Sequence, residues 1–358
     1  MGTGDRINED DSKQPLDEGS RGLLDALCMC RQFATPLTHW KSTKLNATEC
    51  SSIRFENRWN LLRNIPNLPY NENGEITLPG GLHALVYESY DNNPATLAFA
   101  FRHQEGTTLW DNDQWEAMGL YGRNAIQHEL FGTSKTRTLG SLITSMISTL
   151  LQRAIYFVRR NVLGHDYFSQ SQRMVRHIVH HYKKKTDVDD IIFVGYSLGG
   201  TIAQLNALST PHYGATVSAV TFASPGVMDI LKDLYGVKEH RYHQADHLNL
   251  FANHDVVPEL DCQVGLQCTF DASNSSYTAE ELHEELVYGK EAFRVLMQEE
   301  EQQSNPFQCV QAEIWNQEHA VCASLQKGGS ETKIWGVMAL STVMVILLTA
   351  FFIKRRRQ

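Results

Sequence analysis

The sequence predicts an α/β protein whose central, mostly parallel sheet is flanked by helices. Short apolar runs alternate with helical patterns along the middle of the chain, as is typical of strands joined by helical crossovers. The clearest strand is 191–194, where four consecutive β-forming residues suit a strand that is covered on both faces. The clearest helix is 168–182, because its apolar residues recur on one face.

The same two patterns predict the other elements of this domain. Strands are expected where short apolar runs occur, and helices where apolar residues recur over longer stretches. The additional elements are strands at 82–87, 96–101, 219–223 and 247–251, and helices at 139–158 and 201–208. Together they predict a single domain over residues 25–326.

Composition separates three further segments from this domain. Residues 1–24 are polar and acidic with almost no large apolar side chains, which predicts disorder, and they lack the apolar core of a secretory signal. Residues 334–353 carry no charge over 20 positions, which is long enough to span a bilayer and predicts a transmembrane helix. A basic tail, 354–358, follows this helix and predicts a membrane boundary.

The charge balance excludes one broad class of partner. The net charge is −9 even though four basic residues stand together near the C terminus, so the rest of the chain is more acidic still. Nucleic-acid phosphates need a basic footprint, and no sequence signature of a nucleic-acid-binding module is present. We therefore expect no nucleic-acid partner.

The cysteines leave two interpretations open. Seven cysteines are an odd number, so at least one has no partner within the chain, and none has the paired spacing of a zinc site. Cys262 and Cys268, and likewise Cys309 and Cys322, are spaced to close short loops, and such disulfides would imply an oxidising compartment. Reduced thiols fit the spacing equally well. Nothing in the sequence indicates a metal or an organic cofactor.

A glycine-bracketed serine follows the strand at 191–194. Gly195, Ser197 and Gly199 have the G-x-S-x-G spacing of a nucleophile elbow, in which a serine sits on a sharp turn between a strand and a helix. The glycines are required because side chains on either side of the serine would collide across the turn. The amide of Leu198 would then lie at a helix N terminus, where it is able to stabilise an oxyanion.

A nucleophilic serine needs a histidine base and a carboxylate that orients it. In this arrangement both follow the serine in the chain, on loops after later strands. Asp255 fits the carboxylate because it lies on the loop that leaves the strand at 247–251, and Asp261 is the alternative. His319 and His283 are the downstream candidates for the base.

We expect His319 to be the base. It lies between Cys309 and Cys322, and a crosslink there would hold its loop rigid. His283 lies in a run of glutamates that predicts an exposed acidic helix. His243 and His247 have a spacing that metals sometimes use, but no third ligand accompanies them, so we expect no metal site.

Three ordered motifs together resemble the class 3 (fungal-type) lipases. They are G-Y-S-L-G-G at 195–200, T-F-A-S-P-G at 221–226 and N-H-D-V-V-P at 253–258. The family shows a histidine where this chain has Tyr196 and a glycine where it has Ala223. The resemblance covers roughly residues 80 to 325 and implies an α/β-hydrolase fold with Ser–Asp–His chemistry.

The resemblance also implies an oxyanion loop and a lid over an acyl-binding groove. Phe101 and Arg102 match the start of the family's oxyanion loop, but His103 and Gln104 replace its Gly-Thr pair. Gln104 is the expected second oxyanion donor, with Thr107 as the alternative. The aromatic segment 109–120 lies where the family has its lid.

These features predict a membrane-anchored serine hydrolase that cleaves carboxylic esters of lipids, with a lipid ester and a bilayer as its partners. Two alternatives remain: an esterase or thioesterase of soluble substrates, and a non-catalytic lipid-binding relative. The basic tail and the sequons at Asn46 and Asn274 favour a lumenal or extracellular domain. The missing signal peptide instead favours a tail-anchored protein with a cytosolic catalytic domain, or an incomplete N terminus. We expect the lumenal or extracellular side.

Overall fold

The structure is a computed structural model that describes the central sheet and the helices packed against it. The described residues are 16–31, 58–63, 65–72, 74–78, 81–89, 95–102, 166–184, 187–209, 214–228, 231, 246–259, 262–302 and 306–313. The strands among them are β1 (Trp59–Leu61), β2 (Ile76–Leu78), β3 (Leu82–Ser89), β4 (Ala95–Phe101), β5 (Val188–Tyr196), β6 (Thr216–Phe222), β7 (Asp246–Ala252), β8 (Leu266–Phe270) and β9 (Gln308–Gln311). The helices are α1 (Leu16–Arg31), α2 (Tyr167–Tyr182), α3 (Leu198–Ser209), α4 (Ala279–His283) and α5 (Glu285–Gln302).

All nine described strands belong to one sheet. Its order is β1-β3-β4-β5-β6-β7-β8-β9, with β2 paired to β3 outside this path. The five strands from β4 to β8 are parallel to one another, and both ends of the sheet are antiparallel. The carboxyl ends of β5, β6, β7 and β8 therefore lie along one edge, which is where a parallel sheet places its ligands.

The predicted parallel sheet with flanking helices is confirmed. Each predicted strand has an observed counterpart, and the helices expected at 168–182 and 201–208 are α2 and α3. Asp166 caps α2, because its side chain accepts a hydrogen bond of 2.9 Å from the amide of Ser169. Four strands were not predicted from the sequence: β1, β2, β8 and β9, of which β8 matters most for the site described below.

Each face of the sheet carries its own hydrophobic core. Side chains alternate between the faces along a strand, so neighbouring residues of β4 and β5 contribute to different cores. Helices α2 and α3 cover one face, where the rings of Phe99 and Phe193 lie 5.5 Å apart. Helices α1 and α5 cover the other face and pack against each other. Strand β5 is thus buried on both sides, as its apolar run predicts.

Helix α1 corrects the predicted N-terminal boundary. Disorder was expected up to residue 24, but the helix begins at Leu16. In its second half, residues 26–30 are apolar and buried. Their burial stabilises the whole helix, including its polar first turns. Asp25 ties the helix to β1, since it accepts hydrogen bonds from Arg58 and from Nε1 of Trp59. Burial raises the pKa of Asp25, and these two partners oppose that rise.

The disulfides differ from both cysteine pairs that the spacing suggested. Cys268 is bonded to Cys309, 41 residues away, whereas the disulfide interpretation paired each of them over a short loop. The two cysteines stand opposite each other on the antiparallel strands β8 and β9, so strand register and not loop length sets their pairing. Cys28 and Cys262 each take part in a disulfide as well. The reduced-thiol interpretation is therefore wrong for these four cysteines.

Several predictions concern residues outside the described part of the chain. They are the helix at 139–158, the lid at 109–120, the transmembrane helix at 334–353 and the basic tail at 354–358. Within the described ranges, no helix combines the length and apolarity needed to cross a bilayer. The transmembrane helix stays a prediction.

Candidate active site

Strand β5 ends in a strained turn that presents Ser197. Its φ is 51°, in the left-handed region that costs a non-glycine residue roughly 1–2 kcal/mol. Two backbone hydrogen bonds hold the turn: the Ser197 amide donates to the Phe222 carbonyl at 2.9 Å, and the Ser197 carbonyl accepts from the Thr201 amide at 3.2 Å. The serine is thereby fixed between the ends of two parallel strands and the start of α3.

The glycines beside Ser197 allow the backbone to approach itself closely. A Cβ atom at Gly195 would lie 2.2 Å from the carbonyl carbon and oxygen of Gly199. A Cβ atom at Gly199 would lie 2.3 Å from the carbonyl oxygen of Phe101 on β4. Both distances are far inside van der Waals contact, so the predicted G-x-S-x-G spacing has its steric reason in this turn.

Asp255 lies on the loop after β7, as the sequence predicts. Its side chain is buried, and its Oδ1 accepts a hydrogen bond of 3.0 Å from the Val257 amide. The loop is anchored at both sides, because the Asp255 amide donates to the Ala252 carbonyl and the Asn253 amide donates to the Phe270 carbonyl of β8. His254 takes a φ of 71°, which turns the chain so that Asp255 faces the end of β5.

His283 bridges Asp255 and Ser197. Its Nε2 lies 2.8 Å from Ser197 Oγ, and its Nδ1 lies 3.0 Å from each carboxylate oxygen of Asp255. An ionised carboxylate only accepts hydrogen bonds, so Nδ1 carries the proton and Nε2 is left to accept from the serine hydroxyl. The three residues are 5%, 4% and 3% exposed for Ser197, His283 and Asp255, so this hydrogen-bonded line is shielded from water.

A short helix places His283. Helix α4 begins with a capping box: Thr278 accepts from the Glu281 amide, and the Glu281 carboxylate accepts from the Thr278 amide. These hydrogen bonds from Thr278 lower the pKa of Glu281. The box fixes the exposed start of the helix, and His283 stands at its buried end.

The connection from β8 to α4 is held by α5. Glu291 of α5 accepts hydrogen bonds from both the amide and the hydroxyl of Ser273, at 2.8 and 2.7 Å. Burial acts to raise the pKa of Glu291, but the Ser273 hydrogen bonds and Arg294 outweigh it and lower that pKa. Arg294 also donates to the Asp271 carbonyl at 3.0 Å. The segment that leads from β8 to the helix of His283 is therefore fixed at its start by α5 and at its end by the capping box.

A buried polar network supports the acid loop from behind. The side-chain amide of Asn249 on β7 donates to the Ser224 carbonyl, and its carbonyl oxygen accepts from the Ser224 amide. Gln263 donates to the carbonyls of Ser224 and Pro258, at 3.0 and 2.6 Å. The network joins the ends of β6 and β7 to the far side of the loop that carries Asp255. Ala223, where the resembling family has glycine, precedes it with a φ of 47°.

His247 belongs to this network, and its burial is expected to make the stability of the fold depend on pH. Its Nδ1 donates to the Val264 carbonyl at 2.6 Å, and its Nε2 lies 2.9 Å from the Thr221 hydroxyl. Burial lowers the pKa of His247 to about 4, and the hydrogen bond to Val264 only partly opposes this. The unfolded chain, with an ordinary histidine, binds more protons between that value and about 6.5. The contribution of neutral His247 to the free energy of unfolding is therefore complete above pH ~6.5 and is lost as the pH falls towards 4.

We expect the free energy of unfolding to fall by roughly 2–3 kcal/mol between pH 7 and pH ~4.5 because of His247. His247→Asn keeps a donor near Val264 and removes the titration, so its loss over the same range should be smaller by that amount. Urea unfolding of both proteins at several pH values, with the disulfides intact, measures this difference. Parallel pH profiles would contradict the assignment.

The structure corrects the expected environment of His283, which lies at hydrogen-bond distance from Ser197. The run of glutamates predicted that His283 is exposed, but His283 is buried while Glu281 and Glu284 beside it are exposed. His319 lies outside the described residues, as do Gln104 and Asp261. A recognisable signal was available in the sequence: His283 is the first histidine after the strand that follows the acid loop, which is β8.

The remaining predicted site residue that is described is Leu198. It is the first residue of α3 and directly follows Ser197, so its amide belongs to the first turn, where amides lack intrahelical partners. Within the described part of the chain, no group of three or more histidine, cysteine, aspartate or glutamate side chains is arranged to hold a metal ion.

Comparison with protein families gives one match. The family profile described as Lipase (class 3) matches residues 128–264, which include the elbow, the loop after β6 and the loop that carries Asp255. This confirms the resemblance seen in the three motifs. No curated protein matches the chain by sequence.

Solved lipase structures also resemble the chain, at low identity. A deletion mutant of the Rhizomucor miehei lipase in its propeptide complex shares 10% identity, covering 76% of this chain and 76% of its own, with a TM-score of 0.36. Lip2 lipase from Yarrowia lipolytica shares 12%, covering 74% and 83%, with a TM-score of 0.36. A triacylglycerol lipase from Penicillium expansum shares 11%, covering 74% and 82%, with a TM-score of 0.32. TM-scores below 0.5 are too low to assign a fold or a function.

Proposed function

We propose that this chain, which matches the class 3 lipase family over residues 128–264, is a serine hydrolase that cleaves carboxylic ester bonds of lipids. The observation that carries the proposal is the hydrogen-bonded line from Ser197 through His283 to Asp255. A buried serine on a strained turn, with a histidine at hydrogen-bond distance and a carboxylate behind it, has the parts that acyl transfer needs.

In the proposed reaction, Ser197 Oγ attacks the ester carbonyl while its proton passes to Nε2 of His283. Asp255 holds the imidazole through Nδ1 and stabilises the positive charge that forms on it. His283 then gives the proton to the leaving alcohol, and an acyl-enzyme remains on Ser197. A water molecule, deprotonated by the same nitrogen, releases the fatty acid and restores the serine.

The oxyanion of the tetrahedral intermediate needs donors that face away from His283. We assign one to the Leu198 amide at the start of α3, where the helix dipole adds to the hydrogen bond. The second donor is expected from the loop after β4, with Gln104 as the assigned residue. Phe101 and Arg102 lead into that loop, and their carbonyls lie against Gly199 in the elbow.

The predicted transmembrane helix at 334–353 supports a lipid substrate within the bilayer. Tethering keeps the catalytic domain beside a substrate that does not dissolve, so a high effective concentration replaces tight binding. We further propose that the catalytic domain is lumenal or extracellular. The Cys268–Cys309 disulfide and the disulfide-bonded Cys28 and Cys262 support this, because such bonds persist in oxidising compartments.

Fluorophosphonate labelling and an ester series test the proposed reaction on the full-length protein in detergent. The parent protein should label and Ser197→Ala should not, while Ser275→Ala, which removes an exposed serine, should label like the parent. Hydrolysis of p-nitrophenyl esters from butyrate to palmitate should become more efficient as the acyl chain lengthens. A flat or falling profile would favour a soluble ester substrate, and a folded parent that does not label would overturn the proposal.

Glycosidase treatment of the protein from its native membrane tests the proposed location. Asn274 is exposed, and its Oδ1 accepts hydrogen bonds from Ser276, so the sequon lies open to modification in a lumenal domain. We expect the parent to gain mobility on treatment and a variant with Asn46→Gln and Asn274→Gln to show none. A domain that is digested by protease from the cytosolic side would contradict the location.

A further inference from the structure

The residue before the nucleophile contacts the histidine in two ways. Tyr196 is the last residue of β5, and its side chain points to the sheet face opposite to α3, where it is 4% exposed. Its hydroxyl donates a hydrogen bond to the main-chain carbonyl of His283. Its ring stacks on the imidazole of His283, with 5.6 Å between the ring centroids and 19° between their planes.

The hydroxyl satisfies a carbonyl at the end of a helix. Helix α4 ends at His283, and Glu284 leaves it in an extended conformation, with φ −66° and ψ 127°. The last carbonyls of a helix have no intrahelical donor, and a buried carbonyl without a donor is costly. Tyr196 supplies that donor, so the main chain of His283 is tied directly to the strand that carries Ser197.

The ring contact restrains a motion of the His283 imidazole that the Asp255 carboxylate does not. Asp255 holds His283 only through Nδ1, about which the imidazole is still able to tilt. A stacked aromatic face opposes this tilt and keeps Nε2 aligned with Ser197 Oγ, 2.8 Å away. Small errors in such alignment are expensive, because proton transfer depends on the distance and the angle between the two atoms.

Tyr196 is itself held by an aromatic cluster. Its ring lies 5.2 Å from the ring of Tyr288 on α5, and that ring lies 5.8 Å from Phe270 on β8. The Tyr288 hydroxyl donates to the Leu250 carbonyl on β7. Burial, with the charge of Asp255 adding to it, raises the pKa of Tyr288, so this donor keeps its proton. The three aromatic rings thus fix the Tyr196 ring on the face of the sheet opposite to α3.

We propose that Tyr196 is a positioning residue: it fixes His283 against Ser197 through its hydroxyl and its ring. The inference rests on the proposed function, since it assigns the geometry of the same proton transfer. It also gives a role to the position at which this chain departs from the histidine of the resembling family. Here the residue beside the nucleophile connects directly to the residue that activates it.

Steady-state hydrolysis by the full-length Tyr196→Phe variant tests this role. The variant keeps the ring and loses the hydroxyl, and kcat should fall about 10-fold with KM within about 2-fold of the parent, as expected for one lost hydrogen bond that acts on the chemical step. The rate of fluorophosphonate labelling should fall by the same factor. Replacing Tyr196 with 4-aminophenylalanine restores a donor, and this protein should recover to within about 3-fold of the parent.

Tyr288→Phe is the matched control. It also removes one buried tyrosine hydroxyl that donates to a main-chain carbonyl, that of Leu250, while it keeps the ring that packs against Tyr196. Both Phe variants should lower the melting temperature by similar amounts, while only Tyr196→Phe loses kcat. An unchanged kcat in Tyr196→Phe, or an equal loss in Tyr288→Phe, would overturn the positioning role and leave the proposed function standing. A parent that neither labels nor hydrolyses esters would overturn the proposed function, and the positioning role with it.

Discussion

Replacing His283 with alanine is expected to lower kcat for ester hydrolysis by roughly 10⁴- to 10⁶-fold, with little change in KM. His283 is the described group at hydrogen-bond distance from Ser197 Oγ that is able to take its proton, and without it the hydroxyl is a poor nucleophile. Asp255 would also lose the partner that its carboxylate faces. Initial rates on a soluble ester and the rate of fluorophosphonate labelling measure the loss.

His319→Ala is the companion variant, because the sequence favoured His319 as the base. It should retain activity within about 2-fold of the parent, since the position beside Ser197 is already filled by His283. The reverse result, with His319→Ala inactive and His283→Ala active, would show that the base comes from the later histidine.

Gly195→Ala is expected to cost about 4 kcal/mol or more and to yield little folded protein. The added Cβ would lie 2.2 Å from backbone atoms of Gly199, and backbone atoms at the start of α3 are unable to move aside. Separating them would pull α3 away from β5 and remove the turn that presents Ser197. Soluble yield and thermal unfolding of the full-length variant measure the effect.

Gly22→Ala makes the same chemical change where there is space. Gly22 lies within α1, is exposed, and has nothing within 4 Å of an added Cβ. Because alanine favours a helix over glycine, this variant should be more stable by about 0.5–1 kcal/mol. Equal behaviour of the two variants would show that close backbone approach is not the reason for Gly195.

The parts of the site that follow local rules were predictable from sequence. The elbow is recognisable from an apolar strand, two spaced glycines and a helix, and each of these lies within a few residues of Ser197. Asp255 was reachable because it follows a recognisable strand. The parallel sheet itself follows from runs such as β5, whose apolar residues are buried on both faces.

The histidine and the disulfides were not predictable in the same way, because contacts between distant segments decide them. The burial of His283 depends on Tyr196, 87 residues earlier, and on α5, so its charged neighbours in sequence misled the prediction. Cys268 and Cys309 pair because β8 and β9 are neighbours in the sheet. Strand β8 is short and has glutamine and threonine among its apolar residues, which hid both relationships.

The packing of α1 against α5 sets the order in which the molecule is completed. The two helices cover the same face, yet one lies at the start of the described chain and the other near its end. Contacts between segments so far apart form late in folding, because a long loop must close first. During synthesis, the strands beside Ser197, from β4 to β7, are made before α5, which holds the segment that leads to His283. The proposed hydrolase is therefore expected to be inactive while it is still being synthesised. It should act on membrane lipids only after residue 302 has been made and α1 has packed against α5.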